Sequence, residues 1–380
     1  MAEPALQPSR SVSNVTVPTQ KPVGQPQQKA EVATIVSNSP AEVTITFAGK
    51  VAFESNIADS VYDMQMRTCD FQDVLAGIAD ENLGEIRIVA LPQVYTAEGR
   101  KYTDNQVQQT AAAEVHHAGF NVGVIPGNVL SNGAQSVLDT AGTLYSHGLV
   151  PCGINSPVST QTVIFEQNGM QIALISHTEK MSSKASSALQ STAGQGVLTS
   201  VTDEELYQAI ADAKAQGCQC VIVYYHWNQT NTVKVTDQMR SKAMDMTAAG
   251  ADIIVGIGPS RLLPAAKLRT ADANGVERES LVLYSMGTLL SESREGNDLS
   301  GALVHVTVRE KGNGIVIADI SYTSTYIWKQ RFQGVDLYRV INSAGEYPPQ
   351  MSESQKDVMD RCKGRTDNNL GILHTLEFGE

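Results

Sequence analysis

The chain has 380 residues, is 42% hydrophobic, and carries a formal net charge of −12 with an isoelectric point near 5.1. That length and apolar content suffice to bury the core of one large domain or two ordinary ones. The charge argues against nucleic acid as a partner, because phosphate binding needs a basic surface, and no apolar run approaches the ~18 residues of a membrane span.

The N-terminus shows no apolar signal-peptide core, so the expectation is either a cytosolic protein or one whose export segment has been removed. Residues 1–41 are rich in Pro, Gln, Ser, Thr and Val, and the first aromatic residue is Phe47. Such a segment buries too little surface to offset its ordering entropy and reads as a flexible tether. Regular patterning begins at Glu42. "VTITFAG" alternates as a strand and stops at Gly49, and "EIRIVAL" is a second strand. "NQVQQTAAAEVHHAGF" reads as a helix closed by Gly119, followed by the strand "NVGVI". "NGAQSVLDTAGTLYSHG" is another helix, and "TVIFEQNGMQIALIS" is a hairpin turning at Asn168-Gly169. "TDEELYQAIADAKAQG" carries a capping box, Thr202 with Glu205, and stops at Gly217. The buried strand "CVIVYYHW" follows, then the helix "TDQMRSKAMDMTAAG" with Met239, Ala243 and Met246 on one face. "DIIVGI" and "LVLYSMG" are strands, and "ALVHVTVRE" with "GIVIADISYTSTYI" forms an antiparallel pair. Beyond Tyr347 the chain is polar and weakly patterned, and 346–380 reads as a C-terminal extension. Strands alternating with helices, plus hairpins, indicate an α/β or layered α+β domain over 42–345. There is no internal repeat.

The five cysteines form no recognisable zinc framework. Cys218 and Cys220 are two apart in a strand, point the same way, and are poorly placed to bridge each other. Cys69 and Cys152 lack the basic neighbour that marks a reactive thiolate.

The apolar strands end in polar residues: Lys50, Asn128, His226, Ser260 with Arg261, and Ser285 to Thr288. In open α/β sheets ligands bind outside the carboxyl ends of strands, which makes these the candidate site.

The ordered landmarks "GFNV", "NGMQIALI", "VIVYYHW", "GADIIVGIGP" and "LVLYSMGTLL", together with the opening strand into Gly49, resemble the CapA family of capsule-synthesis proteins, linked to bacterial poly-γ-glutamate synthesis. The resemblance runs from about Thr44 to Tyr338. It implies a calcineurin-like metallophosphoesterase-type fold, a β-sandwich flanked by helices. It also implies a cell-surface location, with membrane attachment through a segment outside this sequence. The family's metal motifs are largely absent. Gly-Asp after the first strand is Gly49-Lys50, and Asn-Glu after the second is replaced in "VALPQ". Asn-Asn-His after the third is Gly127-Asn128-Val129, and the His-rich loop is Ile257, Gly258 and Ser260 around Pro259. Only His226, with Trp227, stands where the family has His-Trp. One imidazole and one amide do not make a two-metal centre.

No catalytic or metal-binding residue and no cofactor is therefore assigned. Lys50, Asn128, His226, Ser260 and Arg261 are the candidate ligand-binding residues. If Lys50 and Arg261 face one pocket, they would hold a carboxylate or phosphate by charge-assisted hydrogen bonds. The plainer readings are that both cations reach into water, that Asn128 braces a turn, and that His226 is a hydrogen-bonded strand-end residue. His116 and His117, late in a helix, suit the negative helix end. His177 could approach the same sheet edge. Ser285 lacks the Gly-x-Ser-x-Gly setting of a nucleophile. The leading expectation is a non-catalytic binding or scaffolding component in making or exporting a surface polymer such as poly-γ-glutamate. Its partners would be other polymer-synthesis or envelope proteins and an anionic ligand, not nucleic acid. The alternative is a hydrolase or amide-bond-handling enzyme of the same fold using His226.

Overall fold

Strands covered on both faces read as near-continuous apolar runs, and the computed structural model shows why they do so here. It describes residues 40–81, 84–96, 103, 105–198, 200–272, 274–292 and 299–378, all within one compact unit, Pro40–Glu380. Most of the 1–41 segment falls outside the described residues.

In chain order the main elements begin with β1 (Glu42–Val51), β2 (Ile86–Ala90), α1 (Thr110–His117), β3 (Val122–Val124), α2 (Ala134–Ser146) and β4 (Val150–Cys152). Next come β5 (Thr162–Gln167), β6 (Met170–Thr178), α3 (Asp203–Ala215), β7 (Cys220–His226), α4 (Asp237–Ala249) and β8 (Ile253–Ile257). The last group is β9 (Leu262–Ala271), β10 (Glu277–Met286), β11 (Thr288–Leu290), β12 (Ser300–Lys311), β13 (Gly314–Phe332), β14 (Val335–Asn342) and α5 (Glu353–Leu370). One sheet has the order β14-β13-β12-β1-β2-β3-β4, with β11 pairing β1, and the second has β9-β10-β8-β7-β6-β5. In each, the inner strands are parallel and the strands at one or both flanks antiparallel.

Strand alternation divides the side chains into three layers. Val43, Ile45 and Phe47 of β1 meet Ile222 and Tyr224 of β7 in the core between the sheets. Ala48 and Val51 point outward, into a core shared with α1 and α2. Val221, Val223 and Tyr225 of β7 point outward on the other side, against Leu206 and Ile210 of α3 and Met239, Ala243 and Met246 of α4. The result is the layered α/β sandwich with flanking helices expected from the sequence.

The Thr202–Glu205 capping box is present, with Glu205 N donating to Thr202 Oγ1 at 3.2 Å and Thr202 N to Glu205 Oε2 at 2.9 Å. Two segments differ from the sequence reading. The helix expected from Asn105 begins only at Thr110, because Gln106–Gln108 pairs with Val94–Thr96 and the Gln108 amide oxygen accepts Cys69 N at 2.7 Å. The polar tail is α5, started by a Ser352–Gln355 capping box. Its Leu370, with Leu373 just beyond, enters the core between the sheets. All five cysteines are free and buried. Burial pushes the Cys69 and Cys152 thiols up to about 12, which leaves them protonated and unreactive.

Candidate ligand pocket

The inner strands β1, β2, β6, β7, β8 and β10 point their carboxyl ends at one rim, and a hydrogen bond ties the two sheets together there. Tyr224 OH of β7 donates to Ala48 O of β1 at 3.1 Å. Two residues further along each strand stand His226 and Lys50. Both line a cavity of about 620 Å³, within the ~300–1,000 Å³ usual for small-ligand sites.

The backbone around Lys50 leaves no choice of neighbour. A Cβ on Gly49 would lie 2.4 Å from Gly287 O, so only glycine lets β1 run this close to the β10–β11 turn. Lys50 N donates to Gly287 O at 3.2 Å, and the register pairs Lys50 with Thr288 on one side and Ala90 on the other. His226 ends β7 between Thr178 and Ile257. Trp227 Nε1 donates to Tyr284 O at 2.8 Å and holds that end in place. Gly258, at φ +124°, passes so close that a Cβ would lie 2.5 Å from Trp227 O. Burial, and then the Lys50 charge, push the His226 imidazole down to about 4. It is therefore neutral near pH 7, and its Nδ1 is buried without a hydrogen-bond partner among the described residues.

Among the described residues, two carboxylates add to the charged lining. Glu292 N donates to Glu54 Oε2 at 2.6 Å, and Asn56 N donates to Glu292 Oε2 at 2.9 Å. This reciprocal clasp joins the segment after β1 to the segment after β11. Asn105 adds an amide, and Thr230, Ser260, Thr288 and Ser291 add hydroxyls. Thr288 Oγ1 donates to Ser260 O at 3.2 Å and Ser260 N to Thr230 O at 3.3 Å, which fixes the loop after β8.

Of the five residues expected at the site, Lys50, His226 and Ser260 share this pocket. Arg261 is not among the lining residues, since the chain turns there into β9. Asn128 lies elsewhere on the rim and braces two loops: its Nδ2 donates to Lys180 O at 3.2 Å, and its Oδ1 accepts Ser182 N at 2.8 Å. Lys50 shares this pocket with the carboxylates of Glu54 and Glu292. Sequence reasoning missed Glu54 and Glu292. Their signal is that each lies only a few residues past a strand end, in "VAFE" and "LLSE".

A second polar group lies on the outer face of β6 and β7. Tyr225 OH donates to Asp203 Oδ1 at 2.8 Å, His177 Nε2 lies 3.5 Å from the same oxygen, and Lys242 bonds both Asp203 and Glu179. Ser200 Oγ lies 3.4 Å from His177 Nδ1, so serine, histidine and aspartate stand in line. Ser200 borders a void of about 10 Å³, too small to hold a substrate. Ser285 is equally occupied, donating to Pro259 O and accepting Gly287 N. Both groups hold loops together.

The profile of the bacterial capsule synthesis protein family (PGA_cap) matches residues 44–293. This chain belongs to that family. The capsule-synthesis resemblance read from the motifs is borne out, and every residue lining the pocket lies within the matched span. Similar proteins include the PGA biosynthesis protein CapA of Bacillus subtilis, 27% identical over 190 residues, which cover 49% of this chain and 46% of that protein. The capsule biosynthesis protein CapA of Bacillus anthracis is 25% identical over 205 residues, 53% of this chain and 47% of that one. The chain spans about half the length of the curated relatives it matches. Among solved structures, the calcineurin-like phosphoesterase YfkN of Bacillus subtilis is similar at 13% identity and a TM-score of 0.45, covering 86% of this chain and 98% of that one.

The capsule-synthesis family resemblance implies a two-metal centre, and the donor set at this rim does not fit one. Two dications ~3.5–4 Å apart need bridging anions, whereas the lining here includes the Lys50 ammonium. Among the described residues, no group of three or more His, Cys, Asp and Glu side chains is placed to hold a metal ion.

Proposed function

We propose that this chain is a non-catalytic binding or scaffolding component of capsule biosynthesis, acting at the cell surface on a polymer such as poly-γ-glutamate. The observation that carries the reading is the pocket's lining. It brings Lys50 and His226 to one rim among amides, hydroxyls and carboxylates, and by the motif resemblance the lysine stands where the family carries an acid. Such groups hold a polar chain by hydrogen bonds and charge, without a metal to polarise it. Its partners would be other polymer-synthesis or envelope proteins, with membrane attachment through a segment outside this sequence.

The enzyme reading has one observation in its favour. A neutral imidazole lining the pocket is in the protonation state that a general base needs. One experiment separates the two. Protein purified without metal-affinity resin is analysed for bound elements, titrated calorimetrically with manganese and zinc, and assayed with an aryl phosphate. The binding reading expects no stoichiometric metal and no metal-dependent hydrolysis, and Lys50→Asp restores neither, because the imidazoles are still missing. Stoichiometric metal abolished by His226→Ala would overturn it in favour of an enzyme.

A further inference from the structure

A second cavity, of about 490 Å³, shares no lining residue with the rim pocket. It lies between the short hairpin Tyr62–Asp63/Thr68–Cys69, the turn that follows it, and α1. Asp63, Asp70 and Glu114 line it, and no lysine or arginine does. Each of these carboxyls meets backbone N–H groups alone. Asp63 Oδ1 accepts Gln65 N at 2.6 Å and Met66 N at 2.9 Å, Asp70 Oδ1 accepts Gln72 N at 3.2 Å, and Glu114 Oε1 accepts Leu75 N at 2.8 Å. The other oxygen of each makes no hydrogen bond or ion pair among the described residues.

The two aspartates are exposed, but Glu114 is 3% exposed. A buried carboxyl with a single hydrogen bond is costly. Burial pushes it up to about 8, against the Leu75 N–H, with Asp73 and Asp70 adding to the rise. One helical turn earlier on the same side of α1, Thr110 also lines the cavity, and its Oγ1 is buried without a partner among the described residues. This wall lacks a cation that also donates hydrogen bonds. A bare metal ion does not fit, because among the described residues no three His, Cys, Asp and Glu side chains are placed to hold one. Phe71, Met66 and Ala113 give the cavity an apolar side.

We propose that this cavity binds an alkylammonium group, with the ammonium on Glu114 and Thr110 and the aliphatic stem along Phe71 and Met66. An ammonium has three donors, enough for both oxygens. Asp63 and Asp70 draw the cation in at short range and the net charge of −12 at long range. The volume is that of a small-ligand site. The same group occurs on a free diamine and on a lysine side chain of a partner protein. The assignment is independent of the polymer-binding reading.

The test is calorimetry on the full chain at low salt with 1,5-diaminopentane, against 1,5-pentanediol as its uncharged counterpart. The diamine is expected to bind about tenfold or more tightly, the worth of one charge-assisted hydrogen bond. Glu114→Gln keeps an acceptor for Leu75 N and should fold normally by circular dichroism, yet lose about tenfold in diamine affinity. A cation on Glu114 favours its ionised form, so wild-type affinity should rise from pH 7 to pH 9. The variant should not show that rise. It retains every other titratable group facing Glu114, namely Asp63, Asp70, His117 and Cys69 in the lining and Asp73, which pairs with Arg339. A peptide with a single lysine separates the two sources: tighter binding than the diamine assigns the site to a partner's side chain, weaker binding to a free amine. Equal binding of diamine and diol, no binding of the diamine, or unchanged affinity in Glu114→Gln overturns the proposal and leaves the rim pocket untouched.

Discussion

His226 shows how one residue's surroundings set its chemistry. Its imidazole is pushed down to about 4, first by burial and second by Lys50. Titration followed by NMR should place its midpoint well below 6.5. Lys50→Met should raise that midpoint only partway, because burial remains. Glu114 is the opposite case. Burial pushes its carboxyl up to about 8, against the pull of the Leu75 N–H it accepts at 2.8 Å, and Asp73 and Asp70 push the same way. A raised folded-state value means the stabilisation is fully present below the unfolded value near ~4.3 and is lost as pH rises towards 8. Glu114→Gln should flatten that decline. Its melting temperature at pH 8.5, measured against wild type, should therefore compare more favourably than at pH 5. A constant difference across that range would refute the assignment.

At the scale of elements, the strut between the sheets is Tyr224 OH on Ala48 O. Tyr224→Phe removes one buried hydrogen bond and should cost about 0.5–1.5 kcal/mol in denaturant unfolding. It should weaken ligand binding more than that, since the same bond aligns Lys50 with His226. Leu373→Ala empties a site in the core between the sheets and should cost about 2–5 kcal/mol. Most strands and helices of 42–345 were legible because their apolar periods are strong, whereas β4, β9 and β14 were not read from the sequence. The final helix was not, although its buried Met359, Cys362, Thr366 and Leu370 fall at helical spacing. Two of those four are not strong hydrophobes, so the stripe was hidden by composition. The site was legible as far as strands reach. Lys50, His226 and Ser260 stand at or next to strand ends, where a topological rule finds them. Glu54 and Glu292 sit past the ends, on segments whose path depends on a mutual backbone clasp. No pattern in the sequence announces that clasp.

For the molecule as a whole, the titratable lining comes from widely separated parts of the chain: Lys50 and Glu54, then His226, then Glu292. Acid should dismantle it through the group on the outer face. Asp203 is held well below the usual carboxylate range by His177, Lys242 and Tyr225. Its contribution is present above the unfolded value near ~3.9 and is lost as pH falls below it. Asp203→Asn should therefore destabilise the protein most at pH 7, and the difference from wild type should shrink progressively as pH falls below about 3.9, as read by urea midpoints. The position of β1 has a consequence in time. This strand is made early, yet its antiparallel partner β12 comes more than two hundred residues later: the Thr46–His305 contact spans 259 positions. β2 can cover one edge of β1 soon after synthesis, but the other edge and the pocket beside it must wait for nearly the whole chain. Partial chains thus carry an open, apolar strand edge, the kind that seeks pairing elsewhere. Refolding should be slow by the standards of local-contact proteins. A nascent chain halted before β12 should need a holding chaperone, and it should be unable to capture any ligand at the rim.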